Sequence, residues 1–113
     1  MKVSDLVEKF NLKIFSGERG LDKEVSGGYV SDLLSDVMGN ALEGQVWITL
    51  QTHQNVIAIA ALKDLSAVIL VKEFVPDNEM IEHSNKEGIP VLGNGWDTFK
   101  IAGKLYHEIE QTK

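Results

Sequence analysis

The clearest pattern of hydrophobic and polar positions lies between Gln45 and Val71. Residues 45–50 and 67–71 are short apolar runs rich in β-branched side chains, a pattern typical of strands that are covered on both faces. Residues 56–62 are apolar almost all round a helical circumference, so a helix there would be mostly buried. A strand, a helix and a strand in so few residues predict a right-handed crossover between two parallel strands.

The chain repeats this strand–helix plan on the C-terminal side. Pro76 and Asp77 predict the start of a helix that ends at Gly88, and residues 89–92 predict a third buried strand. A last helix is predicted after the turn at 93–95.

The N-terminal part predicts a helix and a short strand, over residues 4–11 and 12–15. Tyr29 and Val30 are predicted to end another strand, and residues 33–38 to form a short helix. The predicted fold class is therefore α/β: a small, three-layer-like single domain spanning residues 1–113. It has a mainly parallel sheet of βαβαβα units, preceded by a helix–strand N-terminal segment.

Capping residues predict where the helices begin, and the spacing of apolar residues predicts which sides of them are buried. Ser4 is predicted to cap the first helix, Ser31 or Asp32 the short helix, and Asp97 or Thr98 the last one. Trp47 lies in mid-strand, which favours the core or one side of a subunit interface. The last helix is predicted to bury one side, made of Phe99, Ile101, Ala102, Leu105 and Ile109.

Composition and charge reduce the number of functions that the chain can have. The 113 residues include no cysteine, which excludes disulfides, thiolate metal sites and cysteine nucleophiles. Seventeen acidic and eleven basic residues give a net charge of −6, which disfavours nucleic-acid binding. The N-terminus lacks the apolar core of a signal peptide, and no apolar run approaches the roughly 20 residues of a membrane helix. We expect a cytoplasmic protein that does not bind membranes.

A family resemblance rests on three segments in a fixed order. These are Val3 to Leu12, the run Leu21-Asp22-Lys23-Glu24-Val25-Ser26-Gly27-Gly28-Tyr29-Val30-Ser31-Asp32, and Gly88 to Leu92 followed by Asp97-Thr98-Phe99. In these segments the chain resembles the DRTGG domain family and is similar to the non-catalytic N-terminal domain of HPr kinase/phosphorylase. The resemblance covers nearly the whole chain.

The resemblance implies a small α/β accessory domain that dimerises and regulates. Such domains occur alone or attached to CBS-domain pyrophosphatases and phosphotransacetylases. The chain departs from the family pattern at Gln51-Thr52-His53 and Val71-Lys72-Glu73, where glycines able to approach a phosphate are missing. No G-x-x-x-x-G-K-[ST] run is present, so we expect no kinase activity.

Candidate ligand-binding residues follow the strands of the predicted parallel sheet, because ligands of open parallel sheets bind beyond the carboxyl ends of the strands. The first group precedes a buried helix whose free N–H groups attract anions. The second group could close around the same ligand. The groups are Thr52, His53, Gln54 and Asn55, and Asn94, Gly95, Asp97 and Thr98. The alternative is that Gln54 or Asn55 and the second group only cap helices and form turns.

The positions of the three histidines predict neither a catalytic site nor a metal site. His53 has no carboxylate nearby in sequence to orient it, and we expect His83 and His107 to face solvent on helix surfaces. The three histidines lack a metal-ligand spacing. We therefore predict no catalytic residues, no metal and no cofactor.

Three function classes remain open. The first is a non-enzymatic regulatory or adaptor domain that forms a homodimer and binds a small anionic metabolite or an adenine nucleotide. The second is a protein-interaction module for a metabolic enzyme. The third is an enzyme acting on phosphorylated substrates, which would need His53 to converge with Asp97 or Glu73.

Overall fold

The computed structural model describes residues 1–112, in which five helices and a five-stranded sheet alternate. The helices are α1 (Val3–Phe10), α2 (Leu34–Asn40), α3 (Gln54–Leu62), α4 (Asn78–Glu87) and α5 (Thr98–Gln111). The strands are β1 (Lys13–Ser16), β2 (Gly27–Val30), β3 (Gln45–Thr49), β4 (Ala67–Leu70) and β5 (Val91–Gly93), and a 3₁₀ turn covers Glu18–Gly20.

The sheet has the strand order β1-β5-β4-β3-β2. Strands β2 to β5 run parallel, which confirms the predicted parallel strands and adds β2 to them. Strand β1 pairs antiparallel with β5, with Ile14 opposite Leu92. Strands β1 and β2 therefore form the two edges, and the carboxyl ends of β2 to β5 meet along one side of the sheet.

Two apolar layers cover the two faces of the sheet, as the three-layer prediction requires. On one face α1 and α5 pack through residues such as Leu6 and Leu105 against the strand residues Val46 and Ile69. On the other face α2, α3 and α4 pack around Trp47, which is fully buried. Because β3 and β4 are covered on both sides, their sequences are continuously apolar rather than alternating.

The structure confirms several predicted helix ends and corrects others. Asn11 and Gly88 adopt the left-handed conformation that ends α1 and α4, and the Asp97 carboxylate accepts a hydrogen bond from Lys100 N as the cap of α5. The Ser4 cap is wrong: the N-cap residue is Lys2, two residues earlier, and the Asp5 side chain accepts a hydrogen bond from Lys2 N at 2.8 Å.

The predicted cap of α2 is also wrong, because neither Ser31 nor Asp32 bonds a helical N–H group. The N-cap position is Leu33, and Ser31 Oγ accepts a hydrogen bond from Leu33 N. Asp32 instead bonds the end of β3, where its Oδ1 accepts from Thr49 Oγ1 and from Leu50 N, both at 2.9 Å.

The predicted buried face of α5 is partly wrong. Ile101 and Leu105 are buried, and Ala102 and Ile109 are half-buried. Phe99, however, is 89% exposed. The expectation that two histidines face solvent holds for His107 but not for His83, which is half-buried.

Candidate functional site

The first predicted group lies at the start of α3 and faces α4. His53 is the N-cap residue of α3, and its side chain makes no capping hydrogen bond. Its Nδ1 lies 3.1 Å from Asp77 Oδ2, and Gln54 Nε2 donates to Glu79 Oε2 at 2.7 Å. The alternative in which Gln54 or Asn55 caps the helix is wrong, since both lie inside α3.

The partners of this first group are acidic. Asp77 caps α4 by accepting a hydrogen bond from Met80 N, and its backbone N donates to Thr52 O at 3.1 Å. The side chain of His53 is 72% exposed, and that of Asp77 is 42% exposed. The sequence pattern does not reveal this His53–Asp77 pair, because 24 residues separate its members and Asp77 matches only the start of a helix.

The second predicted group lies between β5 and α5. Asn94 Nδ2 donates to Phe10 O at 2.7 Å, and its Oδ1 accepts from Trp96 N at 3.0 Å. Gly95 has a positive φ of 86° and lies against the carboxylate of Glu73. The alternative in which the second group forms a turn therefore accounts for the polar atoms of the Asn94 side chain and for the backbone conformation of Gly95.

A hollow beside this second group brings together charged and aromatic residues that the sequence pattern does not connect. It has a volume of about 200 Å³, and we call it the lysine hollow. Residues from β1, from the segment after β4 and from the end of β5 line it: Lys13, Phe15, Lys72, Glu73, Phe74, Val75, Gly93, Asn94 and Gly95.

Two lysines and one glutamate are the charged residues among those that line the lysine hollow, so its lining carries more basic than acidic residues. Lys13 Nζ lies 5.3 Å from the centroid of the Phe15 ring, and Lys72 adopts a left-handed backbone with a φ of 56°. Phe74 is 43% exposed at the rim. A site with two cations, an accessible aromatic ring and a glycine-bearing turn can hold a small anion with an attached ring.

The structure places the eight predicted residues in two separate groups. Asn94 and Gly95 line the lysine hollow, whereas Gln54 lines another groove, of about 550 Å³, between α3 and α4. That groove also contains His83, whose buried Nδ1 has no hydrogen-bond partner within residues 1–112. None of the hollows described for this part of the chain contains members of both groups.

A polar cluster also lies where β2 leads into α2. Tyr29 Oη donates to Asp36 Oδ1 at 2.9 Å, and Asn40 Nδ2 donates to the same oxygen at 3.0 Å. Hydrogen bonds from Ser31 and Tyr29 hold the pKa of Asp36 below its usual value, and the bond to Asp36 raises the pKa of Tyr29. Both residues are half-buried, and the hydrogen bond between them orders the loop that joins β2 to α2.

Two further observations concern residues 1–112, the part of the chain that the structure describes. In that part of the chain no group of three or more histidine, aspartate or glutamate side chains is arranged to hold a metal ion. None of its helices is long and apolar enough to span a membrane.

Sequence comparison finds weak similarity to HPr kinase/phosphorylase. The chain is 22% identical to the enzyme of Bacillus pumilus and 23% identical to that of Bacillus subtilis, with 97% of this chain aligned in each case. It spans 40% of the length of these curated relatives. No family model matches the chain.

Structure comparison finds a similar fold in a regulatory protein. The chain superposes on a crystal structure of the CBS and DRTGG domains of the regulatory region of Clostridium perfringens pyrophosphatase, solved with its activator diadenosine tetraphosphate. The TM-score is 0.67 at 18% identity, over 92% of this chain and 45% of that one. The resemblance inferred from the sequence is therefore confirmed: the chain is similar to part of HPr kinase/phosphorylase and shares its α/β fold with part of a CBS and DRTGG regulatory region.

Proposed function

We propose that this chain is a non-enzymatic regulatory domain that binds a small anionic metabolite or an adenine nucleotide and acts as a homodimer. The observation that carries the proposal is the lysine hollow at the carboxyl ends of β4 and β5. The position agrees with the general rule for ligands of open parallel sheets. Support also comes from the structural neighbour, a regulatory region whose activator is a dinucleotide.

The lysine hollow suits one end of such a ligand. Lys13 and Lys72 would pair with a phosphate or carboxylate, while Glu73 would limit the number of negative charges accepted. A volume of about 200 Å³ is smaller than the roughly 300–1,000 Å³ of pockets for drug-sized ligands. We therefore place the anionic group inside and a base or sugar outside, against the exposed ring of Phe74.

The group at Thr52, His53, Gln54 and Asn55 remains part of the proposed site, as a source of hydrogen bonds for the outer part of the ligand. Strands β3 and β5 are separated by β4, so their ends lie about 10 Å apart, a distance that a nucleotide can bridge. The carboxylates of Asp77 and Glu79 beside this group disfavour phosphate there. Asp97 and Thr98, at the start of α5, would limit the other end of the site.

One observation favours a second candidate, an enzyme acting on phosphorylated substrates. Asp77 orients His53 in the way that a carboxylate orients a catalytic histidine. Both side chains of the pair are open to solvent. Hydrogen bonding to a ligand does not require the pair to be enclosed. Release of inorganic phosphate from acetyl phosphate or a nucleotide, abolished in His53→Ala, would support the enzyme and contradict the non-enzymatic proposal.

The binding test measures thermal stability and calorimetric affinity with ATP, ADP, AMP, diadenosine tetraphosphate, acetyl phosphate and sugar phosphates. A ligand present at 100 times its dissociation constant should add about 2.7 kcal/mol of stability. We expect Lys13→Gln and Lys72→Gln each to raise the dissociation constant about 5- to 30-fold, since each removes one charge-assisted contact.

Lys104→Gln is the matched control, because it removes the same charge from an exposed position on α5 that does not line the lysine hollow. We expect it to bind with unchanged affinity. Absence of any shift across the panel would contradict ligand binding and favour the protein-interaction module. Equal losses in Lys72→Gln and Lys104→Gln would contradict this location for the site.

A further inference from the structure

Helix α5 presents an apolar surface to solvent beside the edge strand β2. Phe99 is 89% exposed and Tyr106 is 68% exposed. Between them and β2 runs a groove of about 390 Å³, lined almost entirely by carbon atoms of residues that include Val30, Ile48 and Ile109. We call the two aromatic rings and this groove the α5–β2 face.

The spacing along α5 separates this surface from the core. Ile101 and Leu105 point to the sheet and are buried. Phe99 and Tyr106 are seven residues apart, so they share another side of the helix and lie one above the other. The helix thus has two apolar stripes, of which the contacts within residues 1–112 cover one.

Gly103 lies in the interior of α5 on the same surface. No contact within the described residues requires a glycine at this position. A Cβ atom built at Gly103 would have no atom within 4 Å. Glycine is the least favourable residue in a helix interior after proline. Its presence here is explained if another backbone approaches the helix at this point.

The neighbouring strand is also open. β2 is the last strand of the sheet, so its outer edge carries backbone groups that pair with no strand in residues 1–112. Gly28 and Val30 of β2 form one wall of the groove. A molecule covering the groove would therefore meet the strand edge and α5 together.

We propose that the α5–β2 face is the surface on which a second copy of this chain binds. The two copies are related by a two-fold axis near Gly103, with their α5 helices antiparallel and Phe99 of each inserted towards the groove of the other. This inference deepens the proposed homodimer, on which it rests, and assigns it a surface.

The shape of the α5–β2 face favours a second copy over an unrelated partner. The exposed ring of Phe99 and the apolar groove lie on the same surface, so each copy offers both a projecting aromatic side chain and a recess that can receive one. A two-fold interface needs this kind of self-complementarity.

The available area also agrees with a dimer. A buried aromatic side chain removes about 150–250 Å² from solvent, so the exposed parts of Phe99 and Tyr106, with Val30 and the groove, offer roughly 400 Å². A standard interface buries about 800 Å² on each partner, and about 65% of it is apolar in homodimers. The α5–β2 face supplies most of that apolar part.

The test compares the dimer dissociation constants of the whole chain and of Phe99→Glu by sedimentation equilibrium. Because the substitution acts twice in a two-fold dimer and removes an aromatic anchor, we expect the constant to rise roughly 100-fold or more. Phe99 is exposed in the single chain, so the variant should keep the circular dichroism and thermal transition of a folded protein.

Gly103→Ala gives a second, independent measurement, with Gly39→Ala as its matched control. Gly39 lies in α2, away from the α5–β2 face, and a Cβ atom there also meets nothing within 4 Å. Both variants should raise the melting temperature of the monomer by a few degrees. Only Gly103→Ala should raise the dimer dissociation constant, by about tenfold.

The outcomes separate this inference from the proposed function. A wild-type chain that is monomeric at micromolar concentration overturns both the dimer and its surface, and leaves nucleotide binding to be judged by the lysine variants. A wild-type dimer that Phe99→Glu and Gly103→Ala leave intact overturns only this surface. Loss of dimerisation in Phe99→Glu and Gly103→Ala, but not in Gly39→Ala, supports it.

Discussion

At the scale of single residues, Asp32 shows how a side chain can match a local rule and still serve a different part of the molecule. Its position before a short helix predicts a cap, but its carboxylate bonds Thr49 Oγ1 and Leu50 N at the end of β3. Its backbone O also accepts from Gln51 Nε2 at 3.0 Å. Asp32 thus joins the carboxyl ends of two neighbouring strands, where the candidate site begins.

We expect Asp32→Ala to lower the free energy of unfolding by about 1–2 kcal/mol, because it removes a charged acceptor from the buried hydroxyl of Thr49. Urea unfolding measures the effect. The control Asp22→Ala removes an exposed carboxylate elsewhere and should change stability by less than about 0.5 kcal/mol. Equal stability of the two variants would show that the Asp32 contacts contribute nothing.

At the scale of elements, the turn at residues 16–20 shows that two glycines of one segment can be needed for different reasons. The turn composition makes both glycines available for positive φ, and Gly17 has a φ of 75°. Gly20 does not have a positive φ. A Cβ atom built there would lie 2.0 Å from the backbone oxygen of Gly88, at the end of α4. The close approach of two elements, rather than the turn itself, requires this glycine.

Gly20→Ala should therefore lower the free energy of unfolding by at least about 2 kcal/mol, since a backbone atom must move to admit the methyl group. Gly39→Ala, in open space on α2, should raise it by up to about 1 kcal/mol. Urea unfolding of the two variants against the wild type checks both signs. A Gly20→Ala protein as stable as the wild type would contradict the close approach seen here.

At the scale of the whole molecule, strand order separates the two proposed surfaces. The lysine hollow is built from β1, from the end of β5 and from the segment after β4, and β1 is one edge of the sheet. The α5–β2 face lies at the other edge. Each surface is built from different residues, so ligand binding and dimerisation need not compete for the same side chains.

This arrangement predicts that the two activities are lost separately. Phe99→Glu should keep the thermal shift produced by the ligand that the panel identifies, and Lys72→Gln should keep the wild-type dimer dissociation constant. Calorimetry and sedimentation on both variants make the comparison. A loss of ligand affinity in Phe99→Glu would instead place the ligand near the α5–β2 face or couple it to the dimer.

The sequence by itself determined the α/β class, the parallel strands β3 to β5 and the helix ends at Asn11, Gly88 and Asp97. These follow from apolar spacing and turn chemistry, which act between residues that are close along the chain. It did not determine that Lys13 and Lys72 share a hollow with Asn94, that Asp77 meets His53, or that Phe99 lies outside the core. Only the tertiary structure decided these, because strand order and helix rotation bring together residues from distant segments whose local patterns carry no information about one another.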